Sequence, residues 1–211
     1  MQRILITSGP TRQYLDPVRY LTNASSGQMG CRLAEAAIEQ GHEVVLVSGP
    51  VSIEYPSAAK VINVVSTEDM FAASQEAFDG CDGLIGVAAP CDYRPVHVEE
   101  DKIKKTGQPL LLELIETADV VATLGQTKAD RWMVGFALET DDHRLRALAK
   151  LEKKSCDLMV LNEPEAMNAE QNSVEVIAPD GEVIARFAGS KMDVSRKIFE
   201  IVQQRLIDAR S

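Results

Sequence analysis

Four short stretches of the sequence hold residue types suited to phosphates and activated carboxylates. The first is Asn23-Ala24-Ser25-Ser26-Gly27-Gln28-Met29-Gly30. Ser25, Ser26 and Gly27 stand where a helical pattern begins, so hydroxyls and unpaired backbone N–H groups meet at the positive end of a helix dipole. That makes a phosphate site, unless one serine simply caps the helix. The second stretch is Ala88-Ala89-Pro90-Cys91-Asp92-Tyr93-Arg94-Pro95. Small residues such as Ala89 at the carboxyl end of a strand leave room for a ligand. Asp92 can accept hydrogen bonds from a base or a sugar; the plainer alternative is a turn flanked by prolines. The third is Lys102-Ile103-Lys104-Lys105, three cations in four residues. Such a run clamps a polyphosphate or is a solvated surface. The fourth is Lys150 and Lys154, one helical turn apart and so on one face. They follow Gly135-Phe136-Ala137-Leu138-Glu139-Thr140, where Phe136 is either core or the wall of a ligand site. Trp132 reads as a packing residue, and His42, His97 and His143 as incidental.

These stretches need a frame to converge. Apolar runs rich in Val and Ile recur at Arg3–Ser8, Glu43–Ser48, Lys60–Val65, Gly83–Val87, Met133–Ala137 and Asp157–Leu161. Runs that are apolar on both faces suit buried parallel strands. Between them lie helical stripes: Met29, Leu33, Ala36 and Ala37; then Met70, Phe71, Ser74, Ala77 and Phe78; then His143–Lys154 with a basic face. The alternation predicts a doubly wound, Rossmann-like α/β fold with a mostly parallel sheet. Ser173–Ala178 and Glu182–Phe187 flank Pro179-Asp180-Gly181, which predicts a C-terminal β-hairpin. A last helix follows from Ser190-Lys191-Met192-Asp193, a capping-box pattern, with Val194, Ile198, Ile201 and Val202 as its stripe. Two connections are long: more than a dozen residues after the first strand, and Pro90–Leu112, read as an irregular functional loop.

Composition excludes several classes. The 211 residues are 45% hydrophobic and 26% charged, as in a globular protein. No apolar run nears the ~20 residues of a membrane span. A net charge of −10 argues against nucleic acid or an acidic membrane as partner. Cys31, Cys81, Cys91 and Cys156 are scattered, which fits buried free thiols in a cytoplasmic protein and gives no zinc pattern. No linker or repeat divides the chain, so residues 1–211 are expected to form one domain.

Together the four stretches resemble the phosphopantothenate–cysteine ligase family, also called phosphopantothenoylcysteine synthetase. The resemblance spans positions 4 to about 162. It includes Asp16-Pro17-Val18-Arg19, and it rests on Asn-x-Ser-Ser-Gly-x-Met-Gly combined with Asp-Tyr-Arg-Pro and Lys-Ile-Lys-Lys. It implies an enzyme of coenzyme A biosynthesis that uses CTP and Mg²⁺. The carboxylate of 4′-phosphopantothenate would attack the α-phosphate, giving an acyl-cytidylate and pyrophosphate. The amine of L-cysteine would then displace CMP and form an amide. By the same resemblance Asn23 would hold the acyl intermediate and Lys102 would act at the phosphates. Ser25, Ser26 and Gly27 would bind phosphate, with Ala89, Asp92, Phe136, Lys150 and Lys154 at the nucleotide. It also implies a homodimer, for which the C-terminal hairpin offers an edge. With Met1 so close to the first strand, the expectation is either a stand-alone domain, with the flavin decarboxylase as a separate protein, or a fragment of a bifunctional one. Gln28 stands where bacterial members usually carry Lys, Pro90-Cys91 replaces Val-Ala, and Ser8-Gly9-Pro10 replaces Ala-Gly-Gly. Two rivals remain open: an NAD(P)-dependent reductase, which lacks its glycine fingerprint and a Tyr-x-x-x-Lys pair here, and a nucleotide-binding regulator without turnover.

Overall fold

The structure is a computed structural model that describes residues 1–138, 143–162 and 171–210. The chain opens with β1 (Arg3–Ser8), β2 (Arg12–Tyr14), β3 (Tyr20–Thr22), α1 (Gln28–Glu39), β4 (Glu43–Ser48) and β5 (Lys60–Asn63). It continues through α2 (Thr67–Phe78), β6 (Gly83–Gly86), β7 (Tyr93–Pro95), β8 (Leu114–Glu116), α3 (Val120–Gln126) and β9 (Trp132–Leu138). It ends with α4 (His143–Lys153), β10 (Leu158–Asn162), β11 (Gln171–Ile177), β12 (Val183–Ser190) and α5 (Lys191–Val202).

Among the described residues the main sheet has eight strands in the order β12-β11-β10-β9-β6-β1-β4-β5. The pairings from β10 to β5 are parallel, while β11 and β12 form the antiparallel C-terminal hairpin. Strand residues alternate between two cores, as the two-residue period of a strand requires. Ile4 and Ile6 pack beneath α1 and α5, whereas Leu5 faces α2, α3 and α4. Trp132 is a packing residue, 1% exposed, with its indole N–H donating to Gln2 Oε1.

The chain passes from β1 to β4 and β5 on one side, then returns to β6 on the other. The loops after β1 and β6 therefore diverge at one point of the sheet edge, where open α/β sheets place their ligands. A parallel bridge, Pro10 to Ala89, and the Ala89 N–H to Gly9 carbonyl bond of 2.9 Å tie those loops together.

Four local expectations change. The long first connection is not irregular: β2 and β3 pair as a hairpin. The Pro90–Leu112 loop is anchored at its ends by the β7–β8 pair. Helix α3, which no apolar stripe announced, starts at the cap residue Asp119. At Ser190 only part of the expected capping box forms: Ser190 accepts the Asp193 N–H, but its hydroxyl donates to the Asp193 carboxylate. The full reciprocal box lies instead between Ser66 and Asp69 at α2.

Candidate active site

The start of α1 is built from glycines. Gly27 takes φ 74°, the left-handed region that a side chain disfavours, and supplies no side-chain cap. A Cβ on Gly30 would lie 2.2 Å from Ser8 Oγ, so glycine is what lets α1 close on the end of β1. Ser8 donates to the Gly27 carbonyl at 3.1 Å and is itself bonded to Tyr55, which bonds Ser48. This hydroxyl chain fixes the helix start from below. Ser25 and Ser26 make only long contacts, 3.4 and 3.5 Å, to the N–H groups of Gly27 and Gln28. The simple-cap reading of these serines is therefore not the arrangement seen.

Above α1 opens a cleft of about 760 Å³. Asn23, Ser25, Ser26, Gly27, Ala89, Asp92, Phe136, Lys150 and Lys154 all line it. They come from the loop before α1, the loop after β6, the end of β9, and α4. Glu139 and Thr140, part of the fourth stretch, lie outside the described residues. Lys154 donates to Asp119 Oδ1 at 3.2 Å, and the same carboxylate oxygen caps α3 through the Ala122 N–H. Asn23 braces the cleft: its amide nitrogen donates to the carbonyls of Pro90 (2.9 Å) and Ala89 (3.3 Å). In this arrangement its donors are engaged, and only the amide oxygen is left for a ligand.

Lys102 is placed elsewhere. It lines a second cavity of about 490 Å³, walled by Leu15, Val96, Leu110 and Leu112. The loop that carries it is anchored by Asp16, which is wholly buried. Burial would raise the Asp16 pKa, but the N–H groups of Val18, Ile103 and Arg19 and the Arg19 guanidinium outweigh it and hold the value at about 2. Arg19 also donates to the Ile103 carbonyl at 3.2 Å. Both backbone groups of the residue between Lys102 and Lys104 are thus fixed.

Cys91 does not face the cleft. Its N–H bonds Thr11, and its carbonyl accepts from Thr67 and Thr117. Burial raises its thiol pKa, so it is no nucleophile at neutral pH. His42 bridges Gln2 and Gln203.

Several lining residues carried no sequence signal of function. Thr117 and Asp119 enter from the loop before α3; only the cap-like Asp before Val120-Val121 hinted at an element there. Lys153 and Lys191 also line the cleft, as does Asn162, whose buried Oδ1 has no partner among the described residues. No cluster of three His, Cys, Asp or Glu exists among the described residues. Asp92, Glu116 and Asp119 line the cleft, but Asp119 is committed to Lys154. A protein cage for a metal ion does not fit these side chains.

Comparison with known proteins agrees with this picture. Residues 1–206 match the family described as DNA/pantothenate metabolism flavoprotein C-terminal domain. The chain is 41% identical over 208 residues to the coenzyme A biosynthesis bifunctional protein CoaBC of Bacillus subtilis. That match covers 96% of this chain and 50% of the relative, so the chain spans about half the length of the curated relatives it matches. A crystal structure of the C-terminal domain of a CoaBC protein superposes with a TM-score of 0.85 at 38% identity, covering 98% of this chain and 96% of that one. At 15% identity the fold alone is shared with a Cab2 mutant in complex with phosphopantothenate-cysteine. There the TM-score is 0.77, with 100% and 89% of the two chains covered.

Proposed function

Because the chain belongs to the DNA/pantothenate metabolism flavoprotein C-terminal domain family, we propose that it is a phosphopantothenate–cysteine ligase of coenzyme A biosynthesis. The observation that carries the reading is convergence: nine of the ten residues expected to act line one cleft at the switch point of the sheet. The first step forms a bond between the carboxylate oxygen of 4′-phosphopantothenate and the α-phosphorus of CTP, and pyrophosphate leaves. In the second the amine of L-cysteine attacks the acyl carbon, CMP departs with the bonding electron pair, and the amine proton passes to solvent. Neither step needs a protein nucleophile. The protein supplies positioning and charge neutralisation.

The phosphates rest on the N–H groups at the start of α1, beside Ser25, Ser26 and Gly27. Phe136, Ala89 and Asp92 form the wall for the cytidine, with Lys150 and Lys154 on the α4 side. Mg²⁺ enters with the triphosphate, because the described side chains do not make a cage; such an ion is held largely by substrate phosphates. For Lys102 to act at the phosphates, its loop must close on the cleft from the second cavity.

The same loop supports a homodimer. Val96, Val98, Leu110, Leu111 and Leu112, with Leu114 and Ile115 of the adjoining β8, are exposed, Leu111 by 92%, whereas among the described residues no large exposed apolar side chain lies on the C-terminal hairpin. A patch of this kind marks an interaction surface, and a second copy is the occupant proposed. No helix among the described residues is long and apolar enough to cross a membrane. A cytoplasmic ligase working beside a flavin decarboxylase, the partner that the family resemblance implies, completes the proposal; the matched relatives are described as bifunctional.

The test is pyrophosphate release by the purified chain with CTP, phosphopantothenate and cysteine. Release that needs phosphopantothenate and favours CTP over ATP supports the reading, since a pyrimidine-sized pocket rejects a purine. No release with either nucleotide refutes it.

A further inference from the structure

A cation that the sequence placed only in a capping pattern lies in the cleft. Lys191 is the first residue of α5, is half-buried, and lines the cleft together with the start of α1. The two helices run side by side under one face of the sheet. Ser195 Oγ is 3.2 Å from Met29 Sδ, and Arg196 makes a two-pronged pair with Glu39 at 2.9 and 3.0 Å. Lys191 precedes Ser195 by one helical turn and so shares its face. Met29 sits in the first turn of α1. The packing that joins Met29 to Ser195 therefore brings Lys191 to the open end of α1.

That end lacks a charge of its own. Residues 23–30 contain no basic side chain, and α1 has no side-chain cap. A phosphate there would meet N–H dipoles inside a chain of net charge −10, an unfavourable field for an anion. Lys191 makes no ion pair among the described residues. The acidic neighbour on its own helix, Asp193, is engaged by the Ser190 hydroxyl at 2.6 Å. Lys154 across the cleft differs, since Asp119 already pairs with it. An ammonium lining the cleft without a counter-ion is available to an incoming anion.

We propose that Lys191 is a phosphate-binding residue, placing its ammonium against the phosphate that rests on the start of α1. This deepens the ligase reading and rests on it. Two parts of the reactants carry that chemistry: the polyphosphate of the nucleotide and the phosphomonoester of phosphopantothenate.

The experiment measures binding of CTP and of 4′-phosphopantothenate, separately, by calorimetry. The proteins are the unaltered chain, Lys191→Gln, Lys191→Arg, and the double variant Lys191→Gln/Gln28→Lys, with thermal unfolding of each alongside. Loss of one charge-assisted contact should weaken one ligand by about tenfold or more, and the ligand affected identifies the phosphate. Lys191→Arg should retain most of the affinity, and Gln28→Lys should restore it by returning a cation to the same end of α1. Unfolding temperatures should stay together. Unchanged affinity for both ligands in Lys191→Gln overturns the proposal. So does a loss that Lys191→Arg shares and Gln28→Lys does not repair, because that marks a role of shape. If the unaltered chain binds neither ligand, the ligase reading fails, and inorganic tripolyphosphate becomes the probe. Its binding would still depend on Lys191 if the inference is right and would be indifferent to it if wrong.

Discussion

Helices α1 and α2 both start beside the same edge of the sheet, and they start in opposite ways. At α2 the Ser66 hydroxyl accepts the Asp69 N–H at 3.0 Å, and the Asp69 carboxylate accepts the Ser66 N–H at 2.9 Å. Acidic Glu68 and Asp69 complement the dipole. At α1 the cap residue is a glycine, no acid lies in the first turn, and only the long 3.5 Å contact from Ser26 Oγ reaches its first N–H. Unsatisfied donors at a helix start are normally paired. A start left open at the floor of a cleft has donors to offer a ligand, while a closed one has spent them on the fold. The comparison separates positions that should change chemistry from positions that should change stability.

The widest gap is expected at Asn23, in the approach to the open end. Asn23→Ala should leave CTP binding and folding nearly intact, yet slow amide formation by ~100-fold, the scale of a reacting group mispositioned when the amide oxygen that holds it is lost. Single-turnover assays with labelled phosphopantothenate, without and then with cysteine, follow the mixed anhydride. Its accumulation in both cases supports a role in the second step. Failure to form it would mean that Asn23 mainly braces the Ala89 and Pro90 carbonyls.

Next is the pair Ser25→Ala/Ser26→Ala. Their present contacts are long, so little stability should be lost, but KM for CTP should rise about tenfold, equal to ~1.4 kcal/mol of binding. A fall in unfolding temperature with unchanged KM would make the open start a poor cap after all. Ser66→Ala at the closed start is the mirror experiment. It should cost ~1 kcal/mol of stability, read by denaturant unfolding, with turnover unchanged. An altered KM for CTP there would break the contrast.

The smallest effect at neutral pH concerns Asp16. Its folded pKa of about 2 lies below its ordinary 3.8. The stability it adds is therefore complete above pH 3.8 and disappears as pH falls towards 2. Denaturant midpoints of the unaltered chain should drop more steeply through that window than those of Asp16→Asn. Parallel curves would show that the anchor of the lysine loop adds no pH-dependent stability.

What the sequence determined by itself was what is periodic and local. Ile4-Leu5-Ile6 and Val44-Val45-Leu46-Val47 are apolar at every position, so only a strand covered on both faces could hold them. The α1 stripe and the Pro179-Asp180-Gly181 turn are equally self-contained, and the motif residues of the cleft could be named because each stretch is contiguous. Tertiary structure decided what depends on contacts between distant segments. Tyr55 has no motif, yet it holds Ser8 and thereby Gly27. Asp119 matters because α3 and α4 meet there, with Gly125 admitting the Lys154 carbonyl where a Cβ would stand 2.1 Å away. Lys102 resembled a cleft residue but sits in another cavity, because Asp16, eighty-six positions earlier, fixes the backbone of its neighbour. Lys191 looked like part of a cap and reached the cleft only because α5 packs against α1. Spacing along a chain fixes which side chains share a face; which faces share a pocket is set by packing that no local pattern encodes.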